Sequence, residues 1–386
     1  MSASPENTEY LLSVLRAVIN GSAAPSPRDG VDLVEVYHIA EQHRLAAMAY
    51  HGLYKLGLSD RTMELFRYSQ RAHMKRALLA ESEFCRISAA LEMRGIEYCP
   101  IKGWFTRRLY PEPSMRVMHD IDVLIHSEDA PTVKDVMDGF GYECVRFGVS
   151  EDDSYRRPGL YVEFHRELDI KEASGADFAH DPWALTVPVS GCMRRLKDSE
   201  GYLYTIAHAM KHFASSGTGL RTLIDIYLFL EKAELDRAYI ERRADEIGIS
   251  RFMQCMEKAA RCAFGGETPD EDTKKIINFI ISCGISGDMD RWRTSQLVRS
   301  GPGRLKGSKA SYLLSLLFPS PKKMRFEYKV LFKAPWLLPF TYVARFFSLL
   351  FGGKGRLAKG KARFDSLKTE DANDLREIYT IAGIEK

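Results

Sequence analysis

The sequence predicts an α+β protein in which a small mixed β-sheet is flanked by N-terminal and C-terminal helical regions. Apolar residues recur at helical spacing up to residue 94 and again after residue 199, and strand-like runs alternate with short helices between them. The chain has 386 residues, of which 45% are hydrophobic, so it is long enough for two or three domains with a substantial core. We therefore divide it into residues 1–94, 95–198, 199–290 and 291–386.

The helical pattern of the first region ends with a long segment from Asp60 to Arg94. Gly95 follows it as a suitable C′ residue, because glycine adopts positive φ readily. The pattern then changes to four strand-like segments, at 96–101, 119–126, 142–147 and 160–168. A short helix at 104–110, a helix at 127–140 with Ser127 as its N-cap, and a polar loop at 148–158 separate them. Helical spacing returns at 202–213, 220–230, 236–247, 252–264 and 272–281.

Composition and charge exclude several classes of protein. The seven cysteines are scattered without a CxxC pair, which is typical of reduced thiols in a cytoplasmic protein. The sequence contains no long charge-free apolar run and no basic, apolar leader, so we expect neither a membrane span nor a signal peptide. The net charge of +3 hides an asymmetry, because residues 291–363 contain 17 Lys or Arg and one acid.

Two acids stand one residue apart in the second predicted strand, SMRVMHDIDVLI (114–125). Asp120 and Asp122 point to the same face because side chains alternate along a strand, and the apolar residues between and after them face the opposite way. Two neighbouring carboxylates resist burial. Either a bound cation, partner basic groups or an open strand end must therefore compensate them.

The fourth predicted strand provides a third acid. In YVEFH (161–165), Glu163 shares a face with Tyr161 and His165. Three acids from two strands can bind one Mg²⁺ or two ions about 3.5 to 4 Å apart, which is the arrangement that phosphoryl and nucleotidyl transfer use. A DxD pair alone is a weak signal, since surface strands often carry two acids.

Six segments together are similar to one known family: IKG (101–103), LYPEPSMRVMHDIDVLI (109–125), GY (141–142), VEFH (162–165), HAMKH (208–212) and LIDIYLF (223–229). They resemble the uncharacterised bacterial nucleotidyltransferase family, a branch of the DNA polymerase beta nucleotidyltransferase superfamily, over about residues 30–350. The resemblance implies a nucleotidyltransferase core that binds a nucleoside triphosphate with two Mg²⁺ ions. By the same resemblance Asp120 and Asp122 match the Dx[DE] pair and Glu163 the third acid, as catalytic residues and metal ligands.

The sequence departs from that superfamily at Lys102 and Gly103. The superfamily usually has Gly-Gly or Gly-Ser there, whose small side chains let backbone N–H groups contact the triphosphate. We expect Lys102 and Gly103 to contact phosphate, with the Lys102 charge replacing the missing hydroxyl; the alternative is that the phosphate grip is lost. Arg116 either neutralises a phosphate or forms a salt bridge with an aspartate.

Other polar residues near these motifs have less specific patterns. His208 and His212 have the i, i+4 spacing of a zinc site, but no further ligand stands at suitable spacing. We therefore favour packing between helices, or a place along the nucleotide cleft beside Lys211. Asp225 lies in an apolar helix and is expected to bond a neighbouring helix at the edge of the site. His119 and His165 are expected to be structural or to support the acids.

The leading hypothesis is a Mg²⁺-dependent nucleotidyltransferase that moves a nucleoside monophosphate from a triphosphate to an unidentified hydroxyl or phosphate acceptor. The resemblance makes a sugar or lipid-linked acceptor of surface polysaccharide biosynthesis an expectation. The alternative is a non-catalytic binding or regulatory protein with the same fold. For the basic, aromatic residues 312–351 we expect packing on the acidic remainder of the chain, or binding to an anionic membrane surface, with nucleic acid less favoured. The expected location is cytoplasmic, or peripheral at the inner membrane surface.

Overall fold

The computed structural model describes residues 4–58, 61–149, 152–168 and 181–284, together with parts of 295–384. The chain forms two compact units, one of residues 1–287 with 381–384 and the other of residues 288–380 with 385–386. The predicted α+β class is confirmed, because the described residues form a seven-stranded mixed sheet flanked by helices. The division into four regions stays a prediction.

The N-terminal helices form as the apolar spacing predicts. They are α1 (Pro5–Ile19), α2 (Leu33–Gln42), α3 (Ala46–Leu53) and α4 (Arg61–Glu92). Asp32 caps α2, since its side chain accepts a hydrogen bond of 2.8 Å from the backbone N–H of Val34. The chain leaves α4 through Gly95, whose φ of +66° is the left-handed conformation expected at a C′ position.

The sheet places two parallel strands at its centre. The strands are β1 (Tyr98–Pro100), β2 (Asp120–Ile125), β3 (Glu143–Arg146), β4 (Asp152–Arg157), β5 (Leu160–His165), β6 (Thr186–Ser190) and β7 (Met193–Leu196). They lie in the order β3-β4-β5-β2-β1-β7-β6. Strands β2 and β5 run parallel, while β2 with β1 and β5 with β4 are antiparallel. The two acid-bearing strands predicted from the sequence are therefore direct neighbours.

Three strands depart from the sequence prediction. Strand β4 lies in the segment 148–158, which was predicted to be a polar loop. Its sequence, DDSYRR, lacks the apolar alternation that would indicate a strand. It forms because it pairs along its whole length with β5 and because Tyr155, fully buried, packs edge-on against Phe164. Strands β6 and β7 were not predicted either; β7 pairs with β1. Pairing with β5 compensates the burial of polar groups in β4, and no local sequence pattern reveals that pairing.

The helix after β2 begins differently from the prediction. A 3₁₀ turn covers Ser127–Asp129, and α6 spans Ala130–Gly139 with Pro131 in its first turn. Ser127 lies in that 3₁₀ turn rather than at the N-cap, so its predicted capping role is wrong. Gly141, with φ of +74°, ends the helical segment as expected.

The two faces of the sheet have different partners. One face packs against α4 and α6 in a core of buried apolar side chains, which includes Phe84, Ile87, Leu91, Ile121, Val123, Ile125, Val133, Met137, Val162 and Phe164. The opposite face carries the acids of β2 and β5. The connection from β1 to β2 runs through a short helix, α5 (Lys102–Thr106), and 3₁₀ turns at Arg107–Leu109 and Pro113–Met115.

Five helices follow the sheet in the first unit, close to the predicted ranges. They are α7 (Asp198–Phe213), α8 (Leu220–Lys232), α9 (Arg237–Glu246), α10 (Ser250–Ala260) and α11 (Glu271–Cys283). Asp236 and Asp270 cap α9 and α11 by accepting hydrogen bonds from the N–H groups of Tyr239 and Thr273, at 3.0 and 2.9 Å. Of these helices, α7 and α8 border the candidate site.

The second unit contains α12 (Val330–Lys333), a 3₁₀ turn at Pro335–Leu337, α13 (Leu338–Phe351) and α14 (Thr369–Ala382), whose last residues belong to the first unit. Among the residues that the structure describes, none of the helices has both the length and the apolar character to cross a membrane.

Candidate active site

A cavity of about 680 Å³ opens between the acid-bearing face of the sheet and helices α7 and α8. Its walls come from separate parts of the chain. The sheet side and α5 contribute Lys102, Gly103, Asp120, Asp122, Glu163 and His165, and the helical side contributes His208, Lys211, His212, Arg221 and Asp225. Arg116 also lines the cavity, so every residue predicted for the site lies on this one surface.

The parallel register of β2 and β5 brings the predicted acids together. Asp122 lies opposite Glu163, and Asp120 lies opposite Tyr161 two residue pairs earlier. Ligand atoms of Asp122, Glu163 and His165 all lie within 4.8 Å of one another, which is close enough to bind one metal ion. Asp120 is adjacent rather than part of that closest set. His165, expected only as a supporting residue, thus contributes a ligand atom to the closest set.

Lys102 makes the shortest contact with the acids. Its Nζ lies 2.6 Å from Oδ1 of Asp122, and Nε2 of His165 lies 2.8 Å from the same oxygen. Burial by itself would raise the pKa of Asp122, but Lys102 and His165 hold that pKa well below its usual range. Asp122 is therefore a carboxylate at any physiological pH, and Lys102 provides part of its compensation.

Asp120 has the opposite electrostatic situation. Burial, and then the negative charges of Asp122 and Glu163, raise the pKa of Asp120 to about 6, although Lys102 lowers it in part. A cation bound beside this carboxylate would relieve both the desolvation and the repulsion. The two aspartates of β2 therefore differ: Lys102 and His165 already stabilise the carboxylate of Asp122, whereas a bound cation would stabilise that of Asp120.

Arg116 forms a salt bridge, and its partner is Asp225. The guanidinium donates from Nε and Nη2 to the two carboxylate oxygens at 2.8 and 2.7 Å, and the hydroxyl of Tyr110 donates to Oδ1 at 2.6 Å. The side chains of Arg116 and Asp225 are only 10% and 7% exposed. Two roles were expected for Arg116, phosphate binding or a salt bridge with an aspartate, and the structure shows the salt bridge. Asp225 joins α8 to the segment before β2, at the edge of the cavity.

Arg221 is a cavity residue that sequence reasoning missed. It lies on α8 one turn before Asp225, and its Nη1 donates to the carbonyl of Val117 at 2.8 Å. Burial and the neighbouring Arg116 lower the pKa of Arg221 to about 10, so the guanidinium is charged and its charge is poorly compensated. The RxxxD spacing in LRTLIDIYLF could have indicated it, because residues four apart share a helix face.

The unpredicted strand β4 adds a second missed group. Arg146 and Asp152 form an ion pair at the cavity wall, and Nη2 of Arg146 donates to the hydroxyl of Ser154 at 2.8 Å. Ser154 lies 3.4 Å from a carboxylate oxygen of Glu163. Ser154 therefore contacts Glu163 from the side away from Asp122, and Asp152 and Ser154 were missed because β4 was read as a loop.

The two histidines of α7 line the cavity with Lys211, as expected. Their Nε2 atoms lie 3.3 Å apart, and burial together with the charge of Lys102 lowers the pKa of His208 well below its usual range. Among the described residues they are not part of a metal-capable cluster. The favoured interpretation, cleft lining rather than zinc binding, agrees with this placement. His119 contacts Arg76 at 2.9 Å on the rim.

Comparison with known proteins identifies the family. No curated protein and no solved structure matches the chain. Residues 29–265, more than half of the chain, match a family described as uncharacterised nucleotidyltransferase, and this range includes every residue that lines the cavity. The resemblance seen in the motifs is therefore confirmed, and the chain belongs to the uncharacterised nucleotidyltransferase family.

Proposed function

We propose that this protein is a Mg²⁺-dependent nucleotidyltransferase that moves a nucleoside monophosphate from a triphosphate to a hydroxyl or phosphate of an acceptor. One observation carries the proposal: the parallel register of β2 and β5 sets Asp122 beside Glu163, with Asp120 adjacent, on the wall of a cavity of about 680 Å³. A nucleoside triphosphate needs a pocket of this size class. Family membership supports the reaction type.

The residues of the site fit a divalent cation. Carboxylate oxygens are the ligands that Mg²⁺ prefers, and the raised pKa of Asp120 indicates negative charge that the protein alone does not compensate. Asp120, Asp122 and Glu163 would bind the metal, and His165 orients Asp122 through its hydrogen bond of 2.8 Å. Bound Mg²⁺ would supply charge stabilisation at the α-phosphate and at the departing pyrophosphate.

Arg221 is our candidate for binding the triphosphate. It lies on the helical wall of the same cavity as the acids, it is charged, and its guanidinium can bind phosphate oxygens through two donors at once. Lys102 is a weaker candidate than the sequence suggested, because its ammonium is already bonded to Asp122. Gly103 stays a proposed phosphate contact because it lines the same cavity, where a Cβ would come within 3.1 Å of the Met118 side chain.

The residues would divide the reaction between them. The acceptor oxygen attacks the α-phosphorus and forms the new P–O bond while the bond to the β-phosphate oxygen breaks. Pyrophosphate leaves with the electron pair of that bond, and the acceptor proton passes to one of the three acids. Arg221 would hold the β- and γ-phosphates, and the acids would hold the divalent cation whose charge would attract the α-phosphate into line with the acceptor.

Replacement of one acid tests the proposal. Asp120→Asn should abolish Mg²⁺-dependent pyrophosphate release from labelled nucleoside triphosphates in the presence of cell extract, while far-UV circular dichroism stays unchanged. Glu143→Gln is the matched control, because Glu143 is an exposed acid of β3 paired with Arg156. Pyrophosphate release by Asp120→Asn at the rate of the original protein would refute the assignment. Mass spectrometry of the labelled product identifies the acceptor.

One observation favours a second candidate function, a non-catalytic binding or regulatory protein. The ammonium of Lys102 already compensates the charge of Asp122, so this carboxylate needs no metal ion as its partner. Calorimetry with Mg²⁺ and each triphosphate, followed by a pyrophosphate assay, separates the two functions. Metal-dependent binding with no pyrophosphate release from any acceptor mixture would favour the regulatory role.

We also propose that helix α13 attaches the protein to an anionic membrane surface, which would suit a lipid-linked acceptor of surface polysaccharide synthesis. Exposed apolar side chains recur at helical spacing at Trp336, Phe340, Val343 and Phe347. The 14-residue helix measures about 21 Å, shorter than the hydrocarbon core of about 30 Å, and basic residues dominate the surrounding sequence. The protein would act in the cytoplasm or at the inner membrane surface.

Vesicle flotation tests this attachment. The protein should float with vesicles that contain anionic lipid, should float less with neutral vesicles, and should be released by high salt. Phe340→Ser should reduce flotation, and Leu78→Ser is the control, since Leu78 is an equally exposed apolar residue of α4. Equal flotation of Phe340→Ser and the original protein would contradict the proposal.

A further inference from the structure

Lys102 combines three unusual features. Its φ of +50° lies in the left-handed region, which among the described non-glycine residues is otherwise adopted only by Arg44. Its ammonium lies 2.6 Å from Oδ1 of Asp122 and 3.4 Å from Nε2 of His165. The side chain is largely buried at the wall of the cavity. The chain thus brings a positive charge to the acids from a strained backbone position.

Backbone strain of this kind is informative because glycine would avoid it. Glycine adopts φ of +50° without a steric penalty, whereas any residue with a Cβ is disfavoured there. A lysine kept at such a position indicates that the side chain itself is needed. The contact of this side chain is consistent with that interpretation, since the ammonium is bonded to Asp122. Asp122 is also one of the three residues, with Glu163 and His165, whose ligand atoms are close enough to bind a metal ion.

The ammonium stands where a cation would otherwise bind. Oδ1 of Asp122 already accepts hydrogen bonds from both Lys102 and His165. These two hydrogen bonds occupy both lone pairs of that oxygen, so Mg²⁺, which demands ligands at about 2.0 to 2.1 Å in near-octahedral geometry, would have to displace one of them to bind there. Asp120, Glu163 and the second oxygen of Asp122 remain for one ion.

We propose that the ammonium of Lys102 is a built-in cation that replaces one of two metal ions, so that the site binds a single divalent ion. This inference rests on the proposed function, and it revises the expectation of two Mg²⁺ ions. Asp120, Glu163 and the second carboxylate oxygen of Asp122 would hold the remaining ion. The Lys102 ammonium would compensate the charge of Asp122 before any metal or nucleotide is bound.

Counting bound ions tests the inference without measuring activity. The full-length protein is titrated with Mn²⁺ in the presence of a saturating triphosphate analogue with a non-hydrolysable α,β bridge, and bound Mn²⁺ is counted by electron paramagnetic resonance. The original protein should bind one Mn²⁺ per chain, and Lys102→Gly should bind two. Lys211→Met is the matched control, because it removes a lysine charge from the α7 side of the same cavity, and it should still bind one.

The outcomes separate this inference from the proposed function. Two ions in the original protein, or one ion in a folded Lys102→Gly variant, would overturn the inference and leave the nucleotidyltransferase assignment standing. If neither the original protein nor any variant binds an ion, the site is not a metal site. Both the inference and the Mg²⁺-dependent function would then be wrong. Circular dichroism confirms that Lys102→Gly is folded, which is expected because glycine suits the backbone conformation at this position.

Discussion

The salt bridge between Arg116 and Asp225 allows a sharp test of whether Arg116 acts in folding or in phosphate binding. Asp225→Asn keeps the size of the side chain but removes its charge, so the buried Arg116 guanidinium loses its counter-charge. Both side chains are at most 10% exposed, and two hydrogen bonds of 2.8 and 2.7 Å join them. Breaking a buried ion pair at one partner costs about 3 to 5 kcal/mol, so the free energy of unfolding should fall by about that amount.

A compensating double variant makes the reasoning specific. Arg116→Met with Asp225→Leu removes both charges and fills the space with apolar groups, so most of the lost stability should return. The hydroxyl of Tyr110 still loses its acceptor, which leaves a deficit of about 1 to 3 kcal/mol. Urea unfolding at constant pH, followed by circular dichroism, measures the stability of Asp225→Asn and of the double variant. Lys134→Met, which removes an exposed helix-surface ion pair with Asp138, is the control and should leave the unfolding midpoint unchanged.

The result distinguishes the two roles of Arg116. A purely structural role predicts that the double variant binds a triphosphate analogue as tightly as the original protein once its stability is restored. A phosphate-binding role predicts weaker binding by the double variant, by about tenfold or more. An Asp225→Asn variant with the stability of the original protein would refute the argument that this pair is a buried, mutually dependent contact.

Three further predictions follow from single residues. Metal binding must displace the proton of Asp120, whose pKa is about 6, so Mn²⁺ affinity measured by calorimetry should fall about tenfold for each pH unit below about 6; a pH-independent affinity would contradict this. Buried His43 has a pKa lowered to about 4 by desolvation, so the unfolded chain binds the extra proton and up to about 3 kcal/mol of stability should be lost as the pH falls from about 6.5 to 4. His43→Gln should flatten that dependence in urea unfolding. Gly201→Ala should lower the unfolding free energy by about 1 to 3 kcal/mol, because the new Cβ would overlap the Phe105 ring; no change in urea unfolding would show that α5 can move away.

Much of the fold could be read from periodicity, and the failures have a common cause. Helices α4 and α7 to α11 lie close to their predicted ranges because each buries an apolar stripe that local spacing reveals. Strand β4 could not be read in this way, since its polar residues are compensated by β5 and by Arg146 across the sheet. The same omission hid Ser154, which contacts Glu163.

The sequence by itself determined the α+β class and the two strands that carry Asp120, Asp122 and Glu163, because alternation and helical spacing are local properties of the chain. The resemblance of its motifs indicated the family. The tertiary structure decided what compensates those charges. Lys102 bonds Asp122, Arg116 bonds Asp225, and Arg221 faces the cavity from another helix. Such pairings depend on distances between segments up to about a hundred residues apart, and the electrostatic interaction of two side chains depends on that distance and on burial, neither of which a sequence pattern contains.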